Sequence, residues 1–107
     1  MAKTIKVMAE YTPNVPIWWE DGEQVGFVDP AELGLPGPLI DQFLAWNLRY
    51  RSLLNRQDPA STPNMSPEEQ RLFEADGLRL ARELSNLLGS QYDVLYFSHI
   101  EHQLVEI

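Results

Sequence analysis

The chain opens on strict alternation. Ile5, Val7 and Ala9 fall on one side of a two-residue period and Thr4, Lys6, Met8 and Glu10 on the other, the pattern of a strand with one face in a core. Pro13 and Pro16 then withhold ladder donors and predict an extended loop or sheet margin. Ile17-Trp18-Trp19 is apolar, Glu20-Asp21-Gly22-Glu23 centres on an Asp-Gly turn, and Gln24-Val25-Gly26-Phe27-Val28 reads as a returning strand. A β-hairpin is therefore expected over 17–28. Asp29, an N-cap type, followed by Pro30 predicts one short helical turn.

From there the apolar period becomes three or four. Leu39, Phe43, Trp46, Tyr50 and Leu53 predict a helix over about 38–55 with a broad buried face. A polar, proline-marked loop follows over 56–65. Ser66-Pro67-Glu68-Glu69 then combines an N-cap serine, proline at the first helical position and glutamate three residues after the cap, so a second helix should begin there. Its stripe runs through Phe73, Gly77, Leu80, Leu84 and Leu87, and Gly89 should end it. A helix-interior glycine costs about 1 kcal/mol relative to alanine, so Gly77 implies close approach by a neighbouring element. Tyr92 to Phe97 is too continuously apolar for a half-exposed strand and predicts a central one, with 102–107 as a final edge strand. The order strand, hairpin, helix, helix, strand, strand predicts an α+β fold. Two α-helices should pack on one face of a small mixed or antiparallel β-sheet, in a single domain over 1–107.

Charge narrows the partners. The 107 residues carry 8 Lys plus Arg against 16 Asp plus Glu, a formal net charge of −8. Nucleic-acid binding through phosphates needs a basic stripe, and anionic lipid would repel the same excess, so neither nucleic acid nor membrane is an expected partner. The apolar runs fall short of the roughly 20 residues a bilayer span requires, and the start lacks a signal peptide's apolar stretch, which predicts a cytoplasmic protein. Without cysteine there is no disulfide, thiol nucleophile or thiolate zinc site. The excess is also uneven. Residues 49–92 hold six Arg and six carboxylates, whereas 7–48 hold seven carboxylates and no Lys or Arg.

The chemical motifs are weak. His99-Ile100-Glu101-His102 has histidines three apart, which point to opposite faces of a strand and do not match the four-residue spacing of a helical zinc motif. Glu20, Asp21 and Glu23 are paired carboxylates on an expected solvated turn, where nothing would shift them toward acid–base work. Ser61 and Ser66 lack a nucleophile-elbow context, and no glycine-rich phosphate loop is present. No catalytic, cofactor-binding or metal residue is assigned, no cofactor is expected, and the chain reads as a non-enzyme.

Several short stretches carry a resemblance: Lys6-Val7-Met8-Ala9-Glu10-Tyr11, Pro16-Ile17-Trp18-Trp19, Val25-Gly26, Asp29-Pro30, Leu54-Asn55, Asp58-Pro59, Gly77 with Leu80-Ala81, Leu88-Gly89 and Val94-Leu95-Tyr96-Phe97. Together they resemble small acidic bacterial immunity proteins of polymorphic toxin systems such as contact-dependent growth inhibition. The resemblance implies a cytoplasmic protein that binds and neutralises one cognate toxin domain, often a nuclease with a basic substrate cleft. Carboxylates around an aromatic anchor would suit such a cleft, giving fast association and a desolvated contact core. The partner-binding residues expected on that basis are Glu10, Tyr11, Trp18, Trp19, Glu20, Asp21, Glu23, Asp29 and Glu32. Three readings stay open beside it: an acidic face that serves solubility alone, a small adaptor or antitoxin-like regulator, and a small enzyme with an unrecognised site. Binding through the 102–107 edge strand is the alternative mode for an immunity protein.

Overall fold

The computed structural model describes residues 3–10, 14–20, 22, 26–52 and 66–107. Its elements are strand β1 (Lys3–Val7), strand β2 (Ile17–Trp19), the single turn α1 (Pro30–Leu33), helices α2 (Gly37–Arg51) and α3 (Pro67–Leu88), and strands β3 (Tyr92–Ser98) and β4 (Gln103–Glu106). The strands form one mixed sheet in the order β2-β1-β3-β4. β1 pairs antiparallel with β2 and parallel with β3, and β3 pairs antiparallel with β4. The parallel pair is the reason two helices lie between β1 and β3 in sequence, because parallel neighbours need a long crossover. This is an α+β fold.

The helices begin where local chemistry supplies partners for their first N–H groups. The Ser66 hydroxyl accepts from the Glu69 N–H at 3.2 Å, and Asp29 Oδ1 accepts from the Ala31 N–H at 2.9 Å to start α1. α3 ends at Gly89, whose φ of 65° lies in the region that favours glycine. α2 is described to Arg51 with Ser52 at its C-cap, and residues 53–65, which include the last part of the helix expected over about 38–55, lie outside the described residues. The hairpin is present in reduced form. Trp18 bridges Phe27, the Trp19 N–H donates to the Gly26 carbonyl at 3.0 Å and the Val28 N–H to the Ile17 carbonyl at 2.8 Å. Asp21 and Glu23 of the expected turn and residues 24–25 of the expected returning strand lie outside the described residues.

Both long helices cover the same face of the sheet. Ile5, Val7, Ile17, Trp19, Val94 and Tyr96 project into the core and meet Phe43 and Trp46 of α2 and Phe73, Leu80 and Leu84 of α3. Gly77 is a point of close approach between α3, α2 and the sheet. A Cβ there would lie 2.6 Å from Trp46 Cζ2 and 2.6 Å from Tyr96 Cε1, so its absence lets an indole and a phenol sit against the helix backbone. Trp46 stacks on Phe73 with ring centroids 4.6 Å apart and donates its indole N–H to the Phe73 carbonyl at 2.9 Å. Burial, reinforced by the nearby Glu74 carboxylate, raises the Tyr96 phenol well above its usual pKa and keeps it neutral. Asn47, 1% exposed, accepts from the Glu10 N–H at 2.8 Å and so ties α2 to the chain leaving β1.

The candidate partner-binding face

β3 is central, as its apolar run predicts, but it is not covered on both sides. No described helix lies on the second face of the sheet. Register places the residues that face outward there. Phe27, Trp18, Lys6, Leu95 and Glu106 form one continuous cross-strand row, because Trp18 pairs with Phe27 and Lys6, and Leu95 pairs with Lys6 and Glu106. One step along the strands, Met8 follows the same alternation and Phe97 pairs with Leu104. On the other side of that row Thr4 pairs with Asp93. Trp18, Phe27, Met8, Leu95 and Phe97 are half-buried and Leu104 is 39% exposed.

Trp18 is the best-fixed aromatic of this face. Its ring lies 4.1 Å from that of Phe27, and its indole N–H donates to the Met8 carbonyl at 2.9 Å. An indole whose polar atom is already satisfied presents its apolar surface without a desolvation cost at the nitrogen. Trp19 takes the opposite side of the strand. At 9% exposed it belongs to the core with Ile5, and Lys3 lies over its ring at 5.5 Å. Adjacent strand residues must diverge in this way, so the two tryptophans of the sequence cannot share one surface.

The expected carboxylates stand at two ends of the sheet instead of in one cluster. Glu20 follows Trp19 at the end where β1 begins, its N–H donating to the Thr4 carbonyl at 2.9 Å. Its carboxylate pairs with Lys6 at 2.9 Å, which offsets part of the local charge. Glu10 is half-buried beyond the opposite end of β1; Asp29 and Glu32, both exposed, follow Val28 at that same end. From Thr4 to Met8 the strand rises by roughly 13 Å, so the two acidic groups bracket the apolar rows. Tyr11, Asp21 and Glu23 lie outside the described residues.

Sequence reasoning placed Met8 on the side of β1 away from the core, and missed Leu95, Phe97 and Leu104 as residues of the open face. It read the β3 run as buried on both sides, and nothing local to that run says which face the helices leave uncovered. Asp93 and Glu106 on this face add carboxylates, and Lys6 is its one basic residue among the described positions. The histidine pair is split. His99 packs between Tyr50 at 4.6 Å and Phe97 at 5.1 Å, while His102 is exposed in the following turn. Burial lowers the His99 pKa below its usual 6.5, opposed by a hydrogen bond to the Ala9 backbone and aided by the nearby His102. Among the described residues no three His, Cys, Asp or Glu are grouped to hold a metal ion, and no helix is long and apolar enough to cross a membrane.

Two comparisons bear on this face. An alanine–tRNA ligase of Staphylococcus saprophyticus is 28% identical over 96 residues, a stretch covering 89% of this chain and 11% of that enzyme. The chain thus spans a small part of that relative. Residues 3–99, which include both long helices and the three strands that build most of the open face, match the family described as Serratia CdiI immunity protein-like. The chain belongs to that family of immunity-like proteins.

Proposed function

We propose that this immunity protein acts in the cytoplasm, without chemistry of its own, on a basic toxin domain of nuclease type. Its contact surface is the acidic, aromatic side of the sheet, with Trp18 at the centre, Glu10, Asp29 and Glu32 toward one end and Glu20 toward the other; Tyr11, Asp21 and Glu23 belong to the same proposed set. Trp19 acts from beneath by holding β2 in register. The observation that carries the reading is the placement of charge. Carboxylates flank both ends of an aromatic sheet face whose single described lysine is already paired with Glu20. A nuclease cleft lined for phosphate would meet complementary charge there, which speeds encounter and disfavours unsuitable partners.

The experiment starts with the tagged chain expressed in its source. The toxin domain that co-purifies is separated from the complex in denaturant, refolded, and returned to the chain in calorimetry at two salt concentrations. Binding should weaken at the higher salt. Reversing the charge at Glu20, Asp21 and Glu23 together should lower the association rate by about tenfold, with dissociation changed far less. Recovery of no toxin, or binding indifferent to both salt and these three carboxylates, would overturn the reading.

A further inference from the structure

We infer that the binding surface extends across the whole helix-free face, and that its energetic centre includes Leu95, Phe97 and Leu104 on β3 and β4. The occupant is the toxin domain itself, presenting an apolar patch ringed by lysine or arginine. This rests on the reading above and adds residues that no charge map points to.

Three observations support it. First, the cross-strand row from Phe27 to Glu106 is unbroken, so Trp18 and Leu95 lie on one surface with Lys6 between them. An anchor at Trp18 alone would leave that neighbouring apolar surface wet. Second, the charge is arranged as a rim. Asp93 joins Glu20 at one end of the face, Glu106 closes the middle row at the β4 edge, and Glu10 and Glu101 stand toward the other end, around a largely apolar middle. An apolar centre within a polar rim is the anatomy of a specific protein interface, and a negative rim selects a positive counterpart. Third, Leu104 is 39% exposed on an edge strand whose outward position otherwise carries Glu106. Leucine in place of a charge there is what an interface requires and a free edge avoids.

The test uses the refolded toxin domain as probe against the wild-type chain, two sheet variants and two helix variants as controls. Leu104→Lys places a like charge before the basic partner at a position whose exposure spares the fold, and should raise Kd by at least about tenfold. Leu95→Ser, checked for an unchanged unfolding midpoint or replaced by Leu95→Ala if it unfolds, should raise it by about fivefold or more. Leu72→Lys and Leu87→Lys, which alter exposed apolar residues of α3 at 54% and 49% exposure, should leave Kd within about twofold. Wild-type binding combined with unchanged affinity in both sheet variants would overturn this inference while leaving the proposed function intact. A chain that sediments as a dimer and becomes monomeric with Leu104→Lys would also overturn it, because a second copy would then be the occupant. Absence of wild-type binding would overturn both.

Discussion

The two faces of the sheet are made from alternate residues of the same strands, and they differ in what covers them. On one face Ile5, Val7, Val94 and Tyr96 meet α2 and α3 and are at most 6% exposed. On the other, Lys6, Met8, Leu95 and Phe97 meet no described helix and stay half-buried. Both sets are largely apolar. The covered face is held by mutual fit down to one missing Cβ at Gly77, whereas the open face combines apolar centre and acidic margin and has no such fit to lose. Stability is therefore concentrated on one face, and residues of the other can change at low cost to the fold.

That contrast can be broken by substitution. Phe43→Ala removes a fully buried ring from the covered face and should cost about 3–5 kcal/mol in urea unfolding. A loss below about 1 kcal/mol would mean that α2 is not docked as described. Gly77→Ala comes next: the added methyl has no space between Trp46 and Tyr96, so overpacking should cost about 1–3 kcal/mol and lower Tm, although alanine is the better helix former. Stabilisation by that change would show that the helix can move away from Tyr96.

His99 lies where the faces meet, and its effect should be smaller. Its pKa is lowered in the folded chain, so the unfolded chain binds more protons as pH falls below about 6.5. Stability from neutral His99 is present above that pH and is lost as pH drops toward the lower folded value. Unfolding midpoints measured from pH 7.5 to 5 should fall for the wild type and fall less for His99→Gln; equal slopes would remove His99 from the account. The smallest effect is expected on the open face. Leu104→Lys should change stability by no more than about 0.5 kcal/mol. A larger loss would mean that Leu104 belongs to the core and that the two faces are less distinct than their exposure indicates.

Much of the architecture was legible along the chain because it depends on local signals. Alternation from Thr4 to Glu10, the Ser66 cap, the Gly89 stop and the apolar stripe of α3 each involve residues within a few positions of one another. Gly77 was legible as a close-approach point, since a glycine on a buried stripe has few other uses, but Trp46 and Tyr96 as its neighbours were not. The Lys6–Glu20 pair joins β1 to the residue that follows β2 and has no signature in the sequence. The candidate face was legible in part: Trp18 and the carboxylates follow from composition and turn chemistry, whereas Leu95, Phe97 and Leu104 do not.

Periodicity determined which residues share a face within each strand, because successive side chains must point to opposite sides. Composition and charge set the expectation that the partner is neither phosphate-rich nor anionic lipid. Only the tertiary structure decided which of the two apolar sides of β3 the helices occupy, that adjacent Trp18 and Trp19 serve different layers, and that the carboxylates divide between two ends of the sheet. Those outcomes depend on register between strands distant in sequence and on the side to which the crossover packs, and neither is encoded within a window of a few residues.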